Sequence, residues 1–291
     1  MDAELLTKKI NNALEKDQGA KYKEILQKIC NDSSLIFGEN SKRSYIGGSD
    51  IGHPCLRSVY YSFRDFSYPR QREGRIIRLL ARGHMEEMRI KALLELVGVD
   101  LISRDDQGKE LLYKDASRHA GCKIDGLAKF NGIAIITEFK TLNNSDYSRI
   151  KKHGLQEGKH DHWDQCQWNM AISGYEMCLY IGVKKEKDDL YIELIEPCQE
   201  TVSSLSRKAQ HVIFANTPPP RIGSDTYYVC KDMCNHYEVC HRQQKPKKNC
   251  RTCSHSVPDH NGWHCRYDHR AFNDDIRENH DCHDYRTIDN L

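Results

Sequence analysis

The 291-residue chain has no continuous apolar run of about 18 residues, so no segment reads as a membrane-spanning helix. Between Met1 and Lys9 there is no basic-then-apolar leader pattern, and secretion is not expected. Charge of one sign is also missing. A net charge of +2 neither demands nor excludes a polyanionic partner, so any basic footprint must be local. No internal repeat is present, and beyond Pro218-Pro219-Pro220 the chain is poor in aliphatic residues. That last stretch cannot hold a core without a cross-link or a metal. What remains is enough for one sizeable domain with an appendage, or for two domains: 38% of residues are hydrophobic and 30% charged.

Cysteine is abundant. There are 13, an odd number, in a chain without a secretory signal, which argues against a disulfide framework. Seven of them fall from Cys230 to Cys282, and eight of the 15 histidines lie in the same tail. Clustered Cys and His in a reducing compartment point to metal.

Hydrophobic spacing predicts an amphipathic helical segment over 1–30, carried by Leu5, Leu6, Ile10, Leu14, Ile25, Leu26 and Ile29. A second helix is predicted over 75–97, ending at Gly98. Strands are expected over 123–130 and 133–139, joined by Asn131-Gly132, a strong hairpin signal. A helix over 164–174 and strands over 177–183 and 190–195 complete a mixed α/β core. The proline triplet ends that core as a stiff spacer.

The hairpin carries the chemistry. Asp125-Gly126 closes one strand, and Glu138-Phe139-Lys140 lies on the next. Glu138 and Lys140 are two apart and share a strand face, which Asp125 can reach across the turn. Two hard carboxylates suit Mg²⁺ or Mn²⁺, which would polarise a phosphoryl oxygen and acidify bound water. Lys140 could orient that water or stabilise the charge of the pentavalent state. Glu-x-Lys alone is more often just the solvated side of a strand; the Asp-Gly across an Asn-Gly turn reverses those odds.

This pattern resembles the PD-(D/E)XK nuclease superfamily, and the resemblance runs from about residue 46 to the end. Gly83-His84-Met85-Glu86-Glu87 is similar to the helical Gly-His-x-x-Glu element of RecB-type and phage exonuclease members. That similarity implies Glu87 in the metal site and His84 as a further metal ligand. Asp164-Gln165-Cys166-Gln167-Trp168 resembles the Gln-bearing helix of the same group. Gln165 is favoured over Gln167, and Asn169 stands where the pattern usually has Tyr. The stretch 140–162 is similar to phage-encoded exonucleases, and its Lys151 and Lys152, with Lys159 and His160, could track a phosphate backbone. The segment around Cys55-Leu56-Arg57, with Tyr60-Tyr61, resembles the cluster motif of AddB-type and CRISPR-adaptation nucleases. That resemblance implies a [4Fe–4S] cluster on Cys55, Cys230, Cys234 and Cys240, a clamp on the fold, with zinc as the competing metal. Arg57, Arg75 and the neighbouring arginines 70, 72, 78 and 82 are expected to face DNA.

Cys250, Cys253, Cys265 and Cys282 have a zinc-ribbon-like spacing, with His255, His264 or His283 able to replace one thiolate. Cys122, Cys166 and Cys178 read as core thiols, and Trp163, Trp168, Tyr60 and Tyr61 as packing residues. The expected architecture is an α/β PD-(D/E)XK nuclease core, a central mixed sheet flanked by helices, with an iron–sulfur clamp and a small Cys-rich zinc-binding tail. Its divisions are 1–45 (helical), 46–229 (core), 230–245 (iron–sulfur ligands) and 246–291 (zinc tail). The resemblance implies a Mg²⁺- or Mn²⁺-dependent DNA exonuclease of phage recombination, replication or DNA processing in a bacterial cytoplasm. It would work on DNA ends and partner a single-strand annealing or replication/recombination protein, without a membrane. The reading from another class is a catalytically silent, metal-stabilised DNA-binding or adaptor protein on a nuclease-like scaffold. RNA as substrate is a third, without a stacking module to favour it.

Overall fold

A computed structural model describes residues 2–31, 43–68, 74–130, 132–272 and 282–288. Two compact units are assembled from discontinuous segments. One comprises Met1–Ser41, Arg72–Leu112 and Lys123–Gln199; the other comprises Lys42–Gln71, Tyr113–Cys122 and Glu200–Leu291. No helix among the described residues is long and apolar enough to cross a membrane.

The first unit holds a five-stranded mixed sheet. Its order is Asp100–Ile102, Gly126–Phe130, Ile133–Leu142, Cys178–Lys184, Leu190–Ile195. Only the two middle neighbours, Ile133–Leu142 and Cys178–Lys184, run parallel. A parallel pair needs a crossover, here made by the helices Asn144–Gly158 and His160–Ser173. Alternation then sorts the faces. Ala128, Ile135, Phe139, Leu179, Ile181 and Ile192 pack with Ile90 and Leu94 of the Gly74–Leu96 helix and with Leu6 and Ile10 of the Ala3–Lys16 helix. Glu138, Lys140 and Tyr180 occupy alternate positions and therefore face the other way.

Several elements differ from the sequence expectation, each for a local reason. The N-terminal segment is two helices, Ala3–Lys16 and Ala20–Asn31. Gln18 and Gly19 adopt left-handed backbone (φ 53° and 78°), and the Asp17 carboxylate accepts from the amides of Gly19 and Lys21. Leu5 faces solvent, while Leu6 and Ile10 are buried. The predicted strand over 123–130 is split into Gly121–Lys123 and Gly126–Phe130, leaving Asp125 between them. The charged stretch after Lys140 is helical, started by Asn143, whose side-chain oxygen accepts from the Asp146 amide at 2.8 Å. Gly154 (φ 77°) bends that helix.

The second unit contains the helices Leu56–Phe63 and Tyr237–His241, most of the helix Gln199–Ile213, and a three-stranded antiparallel sheet. The sheet comprises Ser256–Asp259, Gly262–Cys265 and Ala271–Phe272. Its anchor is Trp263, 2% exposed, whose ring lies 5.1 Å from Phe63 and 5.4 Å from His119. The tail thus packs through Trp263 into an aromatic cluster completed by Phe63 and His119 from earlier segments.

A Cβ at Gly158 would stand 2.6 Å from the Ile150 backbone, where nothing flexible can yield. Gly158→Ala is therefore expected to destabilise the unit by about 1–3 kcal/mol, the usual range for overpacking, measured as a lowered urea midpoint at unchanged slope.

Candidate active site

Asp125 sits at the break before Gly126–Phe130. Its backbone amide donates to the Thr137 carbonyl at 3.3 Å, and its carboxylate accepts from the Phe139 amide at 2.7 Å. Continuing the register Gly126↔Thr137 by one residue sets Asp125 opposite Glu138. Glu138 is 1% exposed. One of its oxygens accepts from Gln165 Nε2 at 2.7 Å and is paired with Lys140 Nζ; the other accepts from Asn169 Nδ2 at 3.0 Å. Gln165 and Asn169 are four apart on the His160–Ser173 helix, one turn above the other. Gln167 turns elsewhere: it donates to the Glu196 carbonyl and accepts from the Cys198 amide.

Glu87, on the Gly74–Leu96 helix, pairs with Lys91 at 2.6 Å and lies within electrostatic reach of Asp125. Glu86 beside it turns to Arg89 at 2.9 Å. His84, one turn before Glu87, is exposed. Burial pushes the Asp125 carboxyl well above its ordinary range, and the Glu138 and Glu87 charges add to the rise against the opposing pull of Lys140. Burial works against the Lys140 ammonium, but Glu138 and Asp125 outweigh it and hold its pKa above the usual lysine value. The site is therefore two adjoining carboxylates with one firmly protonated amine.

Two further residues lie beside it. Tyr180 is paired in register with Glu138 on the neighbouring parallel strand. Its hydroxyl shares a 2.8 Å hydrogen bond with His162 Nδ1, one turn before Gln165. Burial, with Lys140 next in effect, lowers the His162 pKa to about 3, so the ring is neutral. Sequence reasoning missed Tyr180 and His162, and gave Asn169 no role. The four-residue spacing from Gln165 was the available signal for Asn169; Tyr180 is placed by strand pairing that no local pattern shows.

Among the described residues no three His, Cys, Asp or Glu side chains are drawn together tightly enough to cage a metal ion unaided. Mg²⁺ does not need such a cage, since it takes one or two carboxylates and completes its shell with water and phosphate oxygens. Asp125 and Glu138 fit that requirement.

In the second unit Cys55, Cys230, Cys234 and Cys240 line one cavity together with His236 and Arg221. Burial raises the Cys230 thiol, and Cys234, Cys55 and Cys240 raise it further. His236 is locked between Ser62 and Ser67 at 2.9 and 2.8 Å. The residues thus converge as a four-thiol set, with the Arg57 and Arg221 guanidinium groups lining the same cavity. In the tail, burial followed by Cys253, Cys265 and Cys282 pushes the Cys250 thiol up to about 11. The donor chemistry of both sets fits a thiolate-bound metal centre, although neither is closed around a single ion.

Of the expected DNA-facing residues, Arg57 needs correction. It is 4% exposed, and its guanidinium is spent on the Pro218 and Pro219 carbonyls and the Tyr61 hydroxyl. Its place is structural, tying the Cys55 helix to the proline triplet. Arg75, Arg78, Arg82, Lys151 and Lys152 are exposed; residues 70 and 72 lie outside the described residues. Cys122, Cys166, Cys178, Trp163, Trp168, Tyr60 and Tyr61 are buried.

No family model matches the chain, and no curated protein matches it. Among solved structures it is similar to LHK-Exo, an alkaline exonuclease from Laribacter hongkongensis, at 13% identity and a TM-score of 0.43, over 62% of this chain and 90% of that one. The complex of LHK-Exo with dAMP gives 13% and 0.43 over 59% and 87%, and SSO0001 gives 17% and 0.42 over 77% and 97%. At such scores the site stands on its own geometry.

A carboxyl pKa raised by folding means that the folded chain holds its proton more tightly than the unfolded chain. That contribution is present at low pH and is lost as pH rises from the ordinary carboxyl range to the folded value. Each unit of rise is worth about 1.4 kcal/mol. Asp125→Asn should therefore be more stable than the metal-free wild type at pH 8, with the gap closing towards pH 4. Thermal melting in chelator across that range measures it, and a variant less stable at pH 8 would mean that folding does not raise the Asp125 pKa.

Proposed function

We propose that the chain is a divalent-metal-dependent DNA nuclease of the PD-(D/E)XK type, hydrolysing phosphodiesters from a DNA end. The observation that carries this reading is the convergence of Asp125, Glu138 and Lys140 at one point, with Glu87 in electrostatic reach. When bound, Mg²⁺ or Mn²⁺ supplies Lewis acidity for the phosphoryl oxygen and an acidified water. Asp125 and Glu138 would hold it, and Glu87, with His84 above it, would border it. Lys140 keeps its proton on Nζ and offers that positive charge to the attacking water or to the non-bridging phosphate oxygens as negative charge builds. Gln165 and Asn169 fix the rotamer of Glu138 by occupying both of its oxygens. The neutral His162 adds no charge to the site. Lys151 and Lys152 would meet the backbone of the substrate. The end-directed mode, the phage setting and a single-strand annealing or recombination partner rest on the sequence resemblance.

We assign a [4Fe–4S] cluster to Cys55, Cys230, Cys234 and Cys240 on the sequence resemblance, supported by their shared cavity, and zinc to Cys250, Cys253, Cys265 and Cys282 on their ribbon-like spacing. Both would be structural, their binding energy adding to folding energy.

Glu138→Ala is expected to abolish cutting of linear duplex DNA in Mg²⁺ or Mn²⁺ with the fold intact. Gln165→Ala and Asn169→Ala should each reduce it by about 10–100-fold, as for residues that orient a metal ligand. Full-rate cutting by Glu138→Ala would sink the assignment. Anaerobically purified protein should carry about four irons and one zinc with visible absorption. A colourless protein with two zincs would move the first set to zinc and leave the carboxylate site untouched.

A further inference from the structure

The Gly74–Leu96 helix has two unlike halves. From Glu86 onward it is built into the core, with Met88, Ile90, Ala92, Leu94 and Leu96 buried. From 74 to 85 every residue is exposed except Ile76 and Gly83, which are half-buried. Twelve residues at 1.5 Å each make a rod of about 18 Å leading up to Glu87. The rod contains no acidic residue. It exposes Ile77 (55%), Leu79 (43%) and Leu80 (40%). Aliphatic groups so exposed on a helix that is otherwise a core element call for a partner.

The charge pattern says which. Arg75, Arg78 and Arg82 recur at three- and four-residue spacing and form one stripe. Arg82 donates to the Lys185 carbonyl at 2.7 Å, which ties that end of the stripe to the mixed-charge turn after Lys184 and leaves Arg75 and Arg78 as its outward cations. On another face, Ile76, Leu80 and His84 are 11, 7 and 3 residues before Glu87 and lie in line with it. A strand lying along this rod meets arginines on one flank and aliphatic side chains beside the path to Glu87.

We propose that residues 74–85 form a DNA-gripping rod. Arg75 and Arg78 hold phosphates of the strand remote from the cut, and Leu80 packs against a sugar or base on the path towards Glu87. The inference rests on the nuclease reading and names the element that positions its substrate.

The test uses the full chain with Arg75→Ala/Arg78→Ala and, separately, Leu80→Ala. Affinity for a fluorescent linear duplex is measured in Ca²⁺ across a salt series, alongside Mn²⁺-dependent hydrolysis of bis(p-nitrophenyl) phosphate, which is too short to reach the rod. The double variant should bind DNA more weakly, with the log–log salt slope reduced by about 2, near 0.9 for each lost phosphate contact. Hydrolysis of the small ester should be unchanged. Leu80→Ala should weaken binding with the slope unaltered. Wild-type affinity and slope in the double variant overturn the proposal, as does a change in molecular mass by light scattering in either variant, which would make the rod a contact between copies of this chain. A wild type that binds DNA with the expected slope yet hydrolyses neither substrate defeats the nuclease reading and leaves the rod in place.

Discussion

Two carboxylates held side by side against the central strand of a hydrophobic sheet are the constraint around which the first unit is built. Such a pair is costly, because burial and like charge both oppose ionisation. Asp125 bears the effect as a raised pKa. Glu138 is tolerated at 1% exposure because three donors converge on it: Lys140 from its own strand, and Gln165 and Asn169 from the crossover helix. The split before Gly126 frees Asp125 to take the Phe139 amide, and the strand runs on to Leu142, keeping Lys140 in register. The parallel pairing with Cys178–Lys184 obliges the chain to make a crossover, and that crossover supplies both amides.

How much of this was legible depended on how local the cause was. The Asn-Gly turn and the two-residue alternation made Asp125, Glu138 and Lys140 visible, since a hairpin aligns residues only 13 apart. Asn169 and Tyr180 were not visible in that way. One reaches Glu138 from a helix two elements downstream, the other through parallel register. Helix Asn144–Gly158 was hidden because few of its residues are apolar and Gly154 interrupts its periodicity. The edge strand Asp100–Ile102 is too short to announce itself. Arg57 misled for a different reason: an arginine ordinarily reads as surface, and only its long-range bonds to the Pro218 and Pro219 carbonyls show that it is internal.

Composition betrayed the cysteine sets, because thirteen thiols in a chain read as cytosolic need an explanation. The structure adds that Cys55, 175 residues before Cys230, shares a cavity with the three later ones. By contrast Cys166 and Cys178 are fully buried against each other beneath the carboxylate site. Burial and their mutual hydrogen bond push the Cys166 thiol well up and keep it protonated and inert. Thus burial alone does not distinguish a ligand set from a core pair. Number and convergence do.

The carboxylate pair and the thiol sets share one electrostatic logic. In each, burial and neighbouring acidic groups push at least one member up: Asp125 in the first, Cys230 and Cys234 in the second, Cys250 in the third. A cation bound at such a centre would displace the protons of the raised groups, so its affinity would climb with pH until they have ionised. The centres differ in what completes the shell. Four thiolates satisfy an iron–sulfur cluster or a zinc ion within the protein, which suits a centre that holds a fold together. Two carboxylates leave most of a hard cation's shell to water and phosphate. On the proposed reading, incompleteness at Asp125 and Glu138 would leave room for a phosphodiester, while a cation saturated by four thiolates would serve as scaffolding.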